Sequence, residues 1–358
     1  MRLLVLAMDN TNYGSRSHEI LCTERLAGKV DKLVCCAERM PQYPESERMP
    51  ENMKIIPMPL NEGISEKHNQ QILEEGPFDA IFTTSISGAI LAAQLKHRHG
   101  WYWVAQILDI PMWRLQYDQW KPQWEYWLSY VHTADHIIVN AKVVKTNLEY
   151  LFQLMFPGEG NPPIRVVYYG MNTELADSVP EPEKRDRIIS ASRHVFYKGF
   201  DLLLYGYKIY LETNSEPLGL DIIGTGEETA KLQQMAQLLN LPQVRFLGAL
   251  SDKEKFNALK RGICAVSCEF APDIPQLFPL EAIYCNMPTV VNDMEMTREL
   301  FGEYAVFTNV YRTDELAGWM NFLPNEYPSE AGKKWIKENR TIQHHANGIL
   351  ATLGEVVK

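Results

Sequence analysis

The sequence predicts an α/β protein built from two doubly wound, parallel-sheet domains. Its 358 residues exceed the size at which a single hydrophobic core usually stops growing, so two domains are expected. Short apolar segments alternate with amphipathic ones through both halves, which is typical of parallel sheets covered by helices on both faces. Between the halves, residues 173–187 form a charged stretch with two prolines and little periodicity, and they are predicted to be a linker.

The first domain is expected to span residues 1–172. Amphipathic patterns predict helices over about residues 17–27, 87–99 and 141–154. Seven short apolar runs are predicted to be its strands: Arg2–Met8, Lys32–Cys36, Lys54–Pro57, Ala80–Thr84, Trp103–Leu108, His136–Val139 and Ile164–Val167. Because parallel sheets bind ligands at the carboxyl ends of their strands, the loops that follow these runs are the first places to look for function.

The second domain is expected to span residues 188–330, and the amphipathic segment 331–358 after it is predicted to be helical. Its strands are again short apolar runs bounded by turn residues. They are Arg187–Ala191, Leu220–Ile223, Val244–Leu247, Ile263–Ser267, Thr289–Val291 and Ala305–Phe307.

Composition and charge narrow the function classes. The formal net charge of −10 argues against strong nonspecific nucleic-acid binding, which needs concentrated Lys and Arg. No stretch approaches the roughly 18 apolar residues of a transmembrane helix, although peripheral membrane contact stays open. The six cysteines form no CxxC pair and lie mostly in apolar segments, which favours reduced thiols in a cytoplasmic protein over disulfides or a zinc site.

Two carboxylates, Asp273 and Glu281, bracket seven residues between two predicted strands of the second domain. A helix is predicted to begin near Leu277, between the two acids. Amide groups of a loop and a helix N-terminus can bind phosphate, while carboxylates accept hydrogen bonds from sugar hydroxyls. The alternative is a surface turn with two solvated acids.

Three further loops carry residues suited to phosphate. Arg193 and Lys198 follow a predicted strand, and across one loop both cations can converge on a diphosphate, unless they are simply a solvated pair. Gly14 follows the first strand, where a glycine permits close backbone approach. Gly224-Thr225-Gly226 resembles a dinucleotide fingerprint but has Thr229 at the third glycine position, so an oxidoreductase is rejected.

The second half resembles the nucleotide-sugar domain of glycosyltransferase family 4, whose members are retaining enzymes of the GT-B fold. The resemblance runs through SRHVFYKGFDLLL, LDIIGTGEETAKLQQMAQLLNLPQVRFLGALSDKEKFNALKR and LEAIYCNMPTVV. The first half adds ADHIIVNAKVVKTNL and IRVVYYGMNTEL. This resemblance implies two Rossmann-like domains facing a central cleft, with the acceptor bound by residues 1–172 and the donor by residues 188–330.

Roles on the donor side are implied by the same resemblance. Arg193 and Lys198 correspond to the pair that holds the donor diphosphate and stabilises the leaving nucleotide. Glu281 corresponds to the acid that accepts hydrogen bonds from the donor ribose. Asp273 stands where the family usually has a glutamate facing the transferred sugar; Glu269 is the alternative, and it would require a loop longer by four residues.

Backbone contacts to the donor are also implied. The amides near Gln276 and Leu277 would meet the phosphates, and Gly226 is grouped with them on the donor side. Gly14 corresponds to the acceptor-domain loop that faces the same diphosphate. Gly248 ends the segment, from Arg245, that corresponds to the surroundings of the nucleotide base.

The acceptor side is less defined. The family often has a histidine where this chain has Leu108, and the following Asp109, near Trp113, is the candidate to contact the acceptor hydroxyl, against a structural hydrogen-bonding role. Trp120, Trp124 and Trp127 have the spacing of a buried helix face. The acceptor itself, whether glycan, glycolipid, small molecule or modified nucleobase, stays open.

The resemblance therefore predicts a retaining glycosyltransferase that uses a nucleoside diphosphate sugar. No metal is implied, because Arg193 and Lys198 take the place of a divalent ion. Two alternatives come from other classes. A sugar-nucleotide epimerase can share the GT-B fold, and a noncatalytic partner subunit would explain Asp273 and the missing histidine.

Overall fold

The computed structural model describes residues 1–7, 18–37, 48–58, 65–271, 276–325 and 330–357. The described chain divides into two compact units. Unit 1 contains the described residues from Met1 to Gly170 and from Ile342 onward, and unit 2 contains those from Met171 to Thr341.

Unit 1 is a seven-stranded parallel sheet in the order β3-β2-β1-β4-β5-β6-β7, flanked by helices. Its strands are β1 (Arg2–Ala7), β2 (Lys32–Ala37), β3 (Met53–Pro57), β4 (Ala80–Thr83), β5 (Tyr102–Ile107), β6 (His136–Val139) and β7 (Ile164–Val166). Its helices before residue 170 are α1 (His18–Ala27), α2 (Glu66–Glu75), α3 (Ala89–His99), α4 (Pro111–Arg114), α5 (Lys121–Val131) and α6 (Lys142–Met155).

Unit 2 is a six-stranded parallel sheet in the order β10-β9-β8-β11-β12-β13. Its strands are β8 (Arg187–Ala191), β9 (Gly219–Ile223), β10 (Val244–Gly248), β11 (Gly262–Ser267), β12 (Thr289–Asn292) and β13 (Val306–Thr308). Its helices are α7 (Thr173–Ser178), α8 (Phe200–Thr213), α9 (Thr229–Leu238), α10 (Asp252–Lys260), α11 (Leu277–Tyr284), α12 (Glu295–Phe301), α13 (Thr313–Phe322) and α14 (Glu330–Asn339). The strand order reverses between β8 and β11, and doubly wound sheets bind ligands beside such a reversal.

Every strand expected from the sequence is present, and the two parallel sheets confirm the predicted fold class. The stretch expected to be a linker contains helix α7. Asn172 caps this helix, because its side chain accepts a hydrogen bond from the amide of Leu175 at 3.0 Å. The segment after residue 330 also differs from the single helical segment expected. It breaks at Arg340, so that α14 belongs to unit 2 and the last helix, α15 (Ile342–Val356), packs on α1 in unit 1.

All six cysteines are buried and form no disulfide. Burial raises the pKa of Cys264 to about 12, so this thiol stays protonated and packs as a small apolar group. None of the helices in the described ranges is long and apolar enough to cross a membrane.

Candidate functional site

The loop after β8 carries Arg193 and Lys198 and ends in a glycine that the fold requires. A short 3-10 turn covers Phe196–Lys198, and Gly199 follows in the left-handed region at φ 65°. A Cβ atom on Gly199 would lie 2.3 Å from the carbonyl oxygen of Cys268. The absence of a side chain therefore lets the loop after β8 lie directly against the chain that leaves β11.

Lys198 and Glu269 form a buried ion pair across these two loops. Lys198 Nζ donates to Glu269 Oε1 at 2.7 Å, and the two side chains are only 7% and 6% exposed. Beside the pair, the amide of Phe270 donates to the carbonyl of Tyr197 at 3.1 Å. The sequence placed Lys198 correctly at the carboxyl end of a strand, but the structure also brings Glu269 to it at the point where the strand order reverses.

Arg193 is the exposed cation of the same loop. Its Nη2 donates to the hydroxyl of Tyr197 at 3.2 Å, which aligns the guanidinium with the 3-10 turn that carries Lys198. One solvent-facing and one buried cation therefore share a single loop at the carboxyl edge of the sheet.

The loop after β9 packs tightly against the backbone of His194. His194 donates its amide to the carbonyl of Thr225 at 3.0 Å and accepts at its own carbonyl from Glu228 at 2.9 Å. A Cβ atom on Gly226 would lie 2.4 Å from that carbonyl oxygen. Gly226 is thus needed for the close contact between two loops of the site, a packing reason that the sequence pattern alone did not show.

His194 is a further residue at this edge of the sheet, and the sequence did not identify it as a candidate. It is fully buried, and its Nδ1 lies 2.9 Å from Thr229 Oγ1. The threonine at the third position of the glycine pattern therefore contacts the first loop of the site. Burial lowers the pKa of His194, so the ring is neutral near pH 7. No spacing in the sequence pairs these two residues, which are 35 positions apart.

The two ends of the predicted base-binding segment, Arg245 and Gly248, make different kinds of contact. Gly248 closes β10 at φ 71° and accepts a hydrogen bond from the amide of Gly224 at 2.8 Å. Arg245 instead bonds Asp221 through Nε and Nη2, at 2.7 and 2.6 Å. Arg187, the first residue of β8, bonds the same carboxylate, so the Arg245 side chain is part of a structural ion-pair cluster.

Helix α11 begins at the same edge, with Gln276 at its N-cap and Leu277 as its first residue. Gln276 is buried, and within the described residues its Nε2 has no hydrogen-bond partner. The first-turn amides of a helix have no intrahelical acceptor, so this end offers donors to an anion. Asp273 and Gly14, both named as candidates from the sequence, lie outside the described residues.

Glu281 projects from α11 toward α10. Its Oε1 accepts from Lys255 Nζ at 2.7 Å, and Lys255 also lies 3.2 Å from Asp252. Burial raises the pKa of Glu281, while the Lys255 ammonium opposes part of that rise. Burial would lower the pKa of Lys255, but Glu281 and Asp252 outweigh it, so the pKa is raised and Lys255 stays charged. The Lys255 ammonium therefore holds one oxygen of the Glu281 carboxylate.

The acceptor-side candidates lie in unit 1. Asp109 Oδ1 accepts from Arg114 Nη2 at 2.9 Å, and the Arg114 guanidinium lies 4.9 Å from the centroid of Trp113 and 4.7 Å from that of Trp120. Of the three tryptophans expected on a buried face, Trp124 is buried at 6% exposed, Trp127 is half-buried, and Trp120 belongs to this arginine–aromatic cluster. Asp109 thus makes a structural hydrogen bond, the role that was the alternative to contact with the acceptor hydroxyl.

Within the described part of the chain, no group of three or more His, Cys, Asp and Glu side chains is arranged to hold a metal ion.

Residues 171–341, which coincide with unit 2, match the family model of the glycosyl transferases group 1. Comparison with curated protein sequences gave no significant match.

Solved structures share the fold of the whole chain. The complex of HepE from Anabaena with UDP-glucose is 16% identical, covering 98% of this chain and 99% of that one with a TM-score of 0.77. Sucrose-phosphate synthase from Thermosynechococcus elongatus is 14% identical, covering 99% of each chain with a TM-score of 0.73. A glycosyltransferase from Rickettsia africae ESF-5 is 12% identical, covering 100% and 99% with a TM-score of 0.73. At these identities the likeness shows the fold, which is that of the GT-B glycosyltransferases with two Rossmann-like units.

Proposed function

We propose that this protein is a retaining glycosyltransferase that moves a sugar from a nucleoside diphosphate donor to a hydroxyl acceptor. One observation carries the proposal. Lys198 lies where the strand order of unit 2 reverses, on the same loop as Arg193, and unit 2 matches the group 1 family model. The UDP-glucose bound in the HepE structure supports a nucleotide sugar as the ligand.

The chemistry follows from where charge develops. As the sugar leaves, negative charge accumulates on the diphosphate, and preorganised cations and helix amides stabilise it without solvent reorganisation. Arg193, Lys198 and the amides at Gln276 and Leu277 supply these groups. In this scheme the acceptor hydroxyl bonds to the sugar on the face from which the diphosphate departs, and its proton passes to the departing diphosphate. No enzyme nucleophile is needed, and Asp273 is the residue proposed to face the transferred sugar. No metal is required, because the two cations take its place.

Glu281 is proposed to bind the donor ribose. Lys255 holds Oε1, whereas Oε2 has no hydrogen-bond partner within the described residues and can accept from a ribose hydroxyl. Gly248 is proposed to lie near the base.

The ribose role predicts a specific selectivity. The wild type is expected to bind UDP at least about tenfold more tightly than 2′,3′-dideoxy-UDP, because a hydrogen bond to a charged group contributes roughly 1.5–3 kcal/mol. Glu281→Met is expected to bind both nucleotides equally, as measured by calorimetry, while Lys255 keeps Asp252 as a partner. Glu228→Gln, at an ion pair with the exposed Lys231, is the matched control and keeps the selectivity. A Glu281→Met protein that still prefers UDP would contradict the assignment.

On the acceptor side, Asp109 is proposed to contact the acceptor hydroxyl, and Trp113 offers a ring face for stacking on a sugar. A glycan, glycolipid, small molecule or modified nucleobase can supply that hydroxyl. The six buried thiols support a reducing compartment, and the cytoplasm is the proposed location.

A thermal-shift screen against UDP- and GDP-sugars tests the proposal. At a ligand concentration one hundred times its Kd, binding adds about 2.7 kcal/mol to the free energy of unfolding. We expect one donor to raise the melting temperature by several degrees and then to be consumed when acceptors are supplied. No shift with any nucleotide sugar would reject the proposed function.

A second candidate, a noncatalytic nucleotide-sugar-binding subunit, is favoured by the fact that Glu269 already neutralises Lys198. Donor binding with no turnover against any acceptor would select it.

A further inference from the structure

The Lys198–Glu269 pair is isolated from solvent yet lies at the proposed diphosphate site. Its Nζ–Oε1 distance is 2.7 Å, and each side chain is less than a tenth exposed. A buried ammonium without a counter-charge costs several kcal/mol of folding free energy. Glu269 therefore makes the buried Lys198 tolerable when no anion is bound.

If the proposed function holds, the Lys198 ammonium has two anionic partners, the Glu269 carboxylate and the donor diphosphate. A diphosphate brings its own negative charge to Lys198, and it would then lie close to the Glu269 carboxylate in a region of low dielectric. Like charges repel strongly there, and the neutral ion pair offers an incoming anion little net attraction. Glu269 and the diphosphate consequently compete for one cation.

We propose that Glu269 is the resident counter-ion of Lys198, which holds the ammonium while the site is empty and yields it to the donor diphosphate. This inference rests on the proposed function. Glu269 is a positioning residue, because it acts through Lys198. It weakens nucleotide binding, and it speeds release of the nucleoside diphosphate product by recapturing the ammonium.

Calorimetric titration of the full chain with UDP tests this role, or with GDP if that is the nucleotide the wild type binds. Glu269→Gln removes the charge and keeps the size, so it is expected to bind the diphosphate about tenfold more tightly and to release it correspondingly more slowly. The melting temperature of the nucleotide-free variant is expected to fall, because the buried Lys198 ammonium loses the carboxylate charge that lies 2.7 Å from it. A purely structural role for Glu269 would leave binding unchanged or weaken it.

Two controls isolate the charge. The nucleoside without phosphates, uridine or guanosine, is expected to bind Glu269→Gln and the wild type equally, because only the diphosphate competes with Glu269. Glu181→Gln removes the carboxylate that lies 2.9 Å from another buried ammonium of unit 2, that of Lys260, away from the loop of Lys198. It is expected to lower the melting temperature without changing the affinity for UDP.

The outcomes separate this inference from the function on which it rests. A wild type that binds neither UDP nor GDP overturns both. A wild type that binds, together with a cooperatively melting Glu269→Gln that binds no more tightly, overturns the counter-ion role and leaves the proposed function standing. If Glu269→Gln does not fold, Glu269→Asp is the second variant. Its side chain is one methylene shorter, which increases the distance between the carboxylate and Lys198 Nζ. It is expected to bind UDP more tightly than the wild type, and unchanged or weaker binding rejects the counter-ion role.

Discussion

Lys198→Ala is expected to lower the rate of sugar transfer by about 10²–10³-fold at saturating donor, the usual effect of removing one group that stabilises a developing anion. Lys198 is buried on the loop after β8, where solvent screening of its charge is weak. Donor consumption under single-turnover conditions measures the chemical step directly. Turnover equal to that of the wild type would refute the catalytic role of Lys198.

Stability must be separated from catalysis in this experiment. Alanine removes the ammonium that lies 2.7 Å from the buried Glu269 carboxylate, and breaking one side of a buried pair costs about 3–5 kcal/mol. The double variant Lys198→Ala/Glu269→Gln removes the stranded charge and is expected to recover most of the stability but none of the rate. Lys231→Ala is the matched control, because this exposed lysine of unit 2 pairs with Glu228 outside the Lys198 loop, and it is expected to leave the rate unchanged.

Gly199→Ala is expected to destabilise unit 2 and to abolish donor binding. The left-handed conformation costs a non-glycine residue about 1–2 kcal/mol, and the new Cβ atom would lie 2.3 Å from the carbonyl oxygen of Cys268. Relief of that contact requires the loops after β8 and β11 to separate, which pulls Lys198 away from Glu269. We expect a total loss of about 2–4 kcal/mol. For a unit of this size, that corresponds to a decrease of roughly 5–10 °C in melting temperature.

A second glycine of the same unit provides the comparison. Gly318 lies within α13, and a Cβ atom there would meet nothing within 4 Å. Gly318→Ala is expected to stabilise the protein by about 0.5–1 kcal/mol, because alanine has the higher helix propensity. Equal melting temperatures for Gly199→Ala and the wild type would show that the two loops do not need this close approach.

The fold was largely readable from the sequence. Strands such as β1, whose residues from Leu3 to Ala7 are all fully buried, appear as continuous apolar runs because a parallel sheet is covered on both faces. The unit boundaries were harder. Both α14 and α15 are amphipathic, and periodicity tells which face of a helix is apolar but not which unit covers that face.

The donor-side residues show the same division between local and tertiary information. Sequence by itself determined the two sheets and placed Arg193, Lys198 and Glu281 on loops and a helix at one edge of the second sheet. Only the tertiary structure decided their partners: Glu269 is 71 positions from Lys198, and Lys255 is 26 positions from Glu281. Apolar periodicity is a local property of the chain and is therefore visible in sequence. Ion pairs such as these arise where parallel strand pairing brings distant segments of the chain together. The number of residues between the two partners follows no fixed period, so the pairs are not visible in sequence.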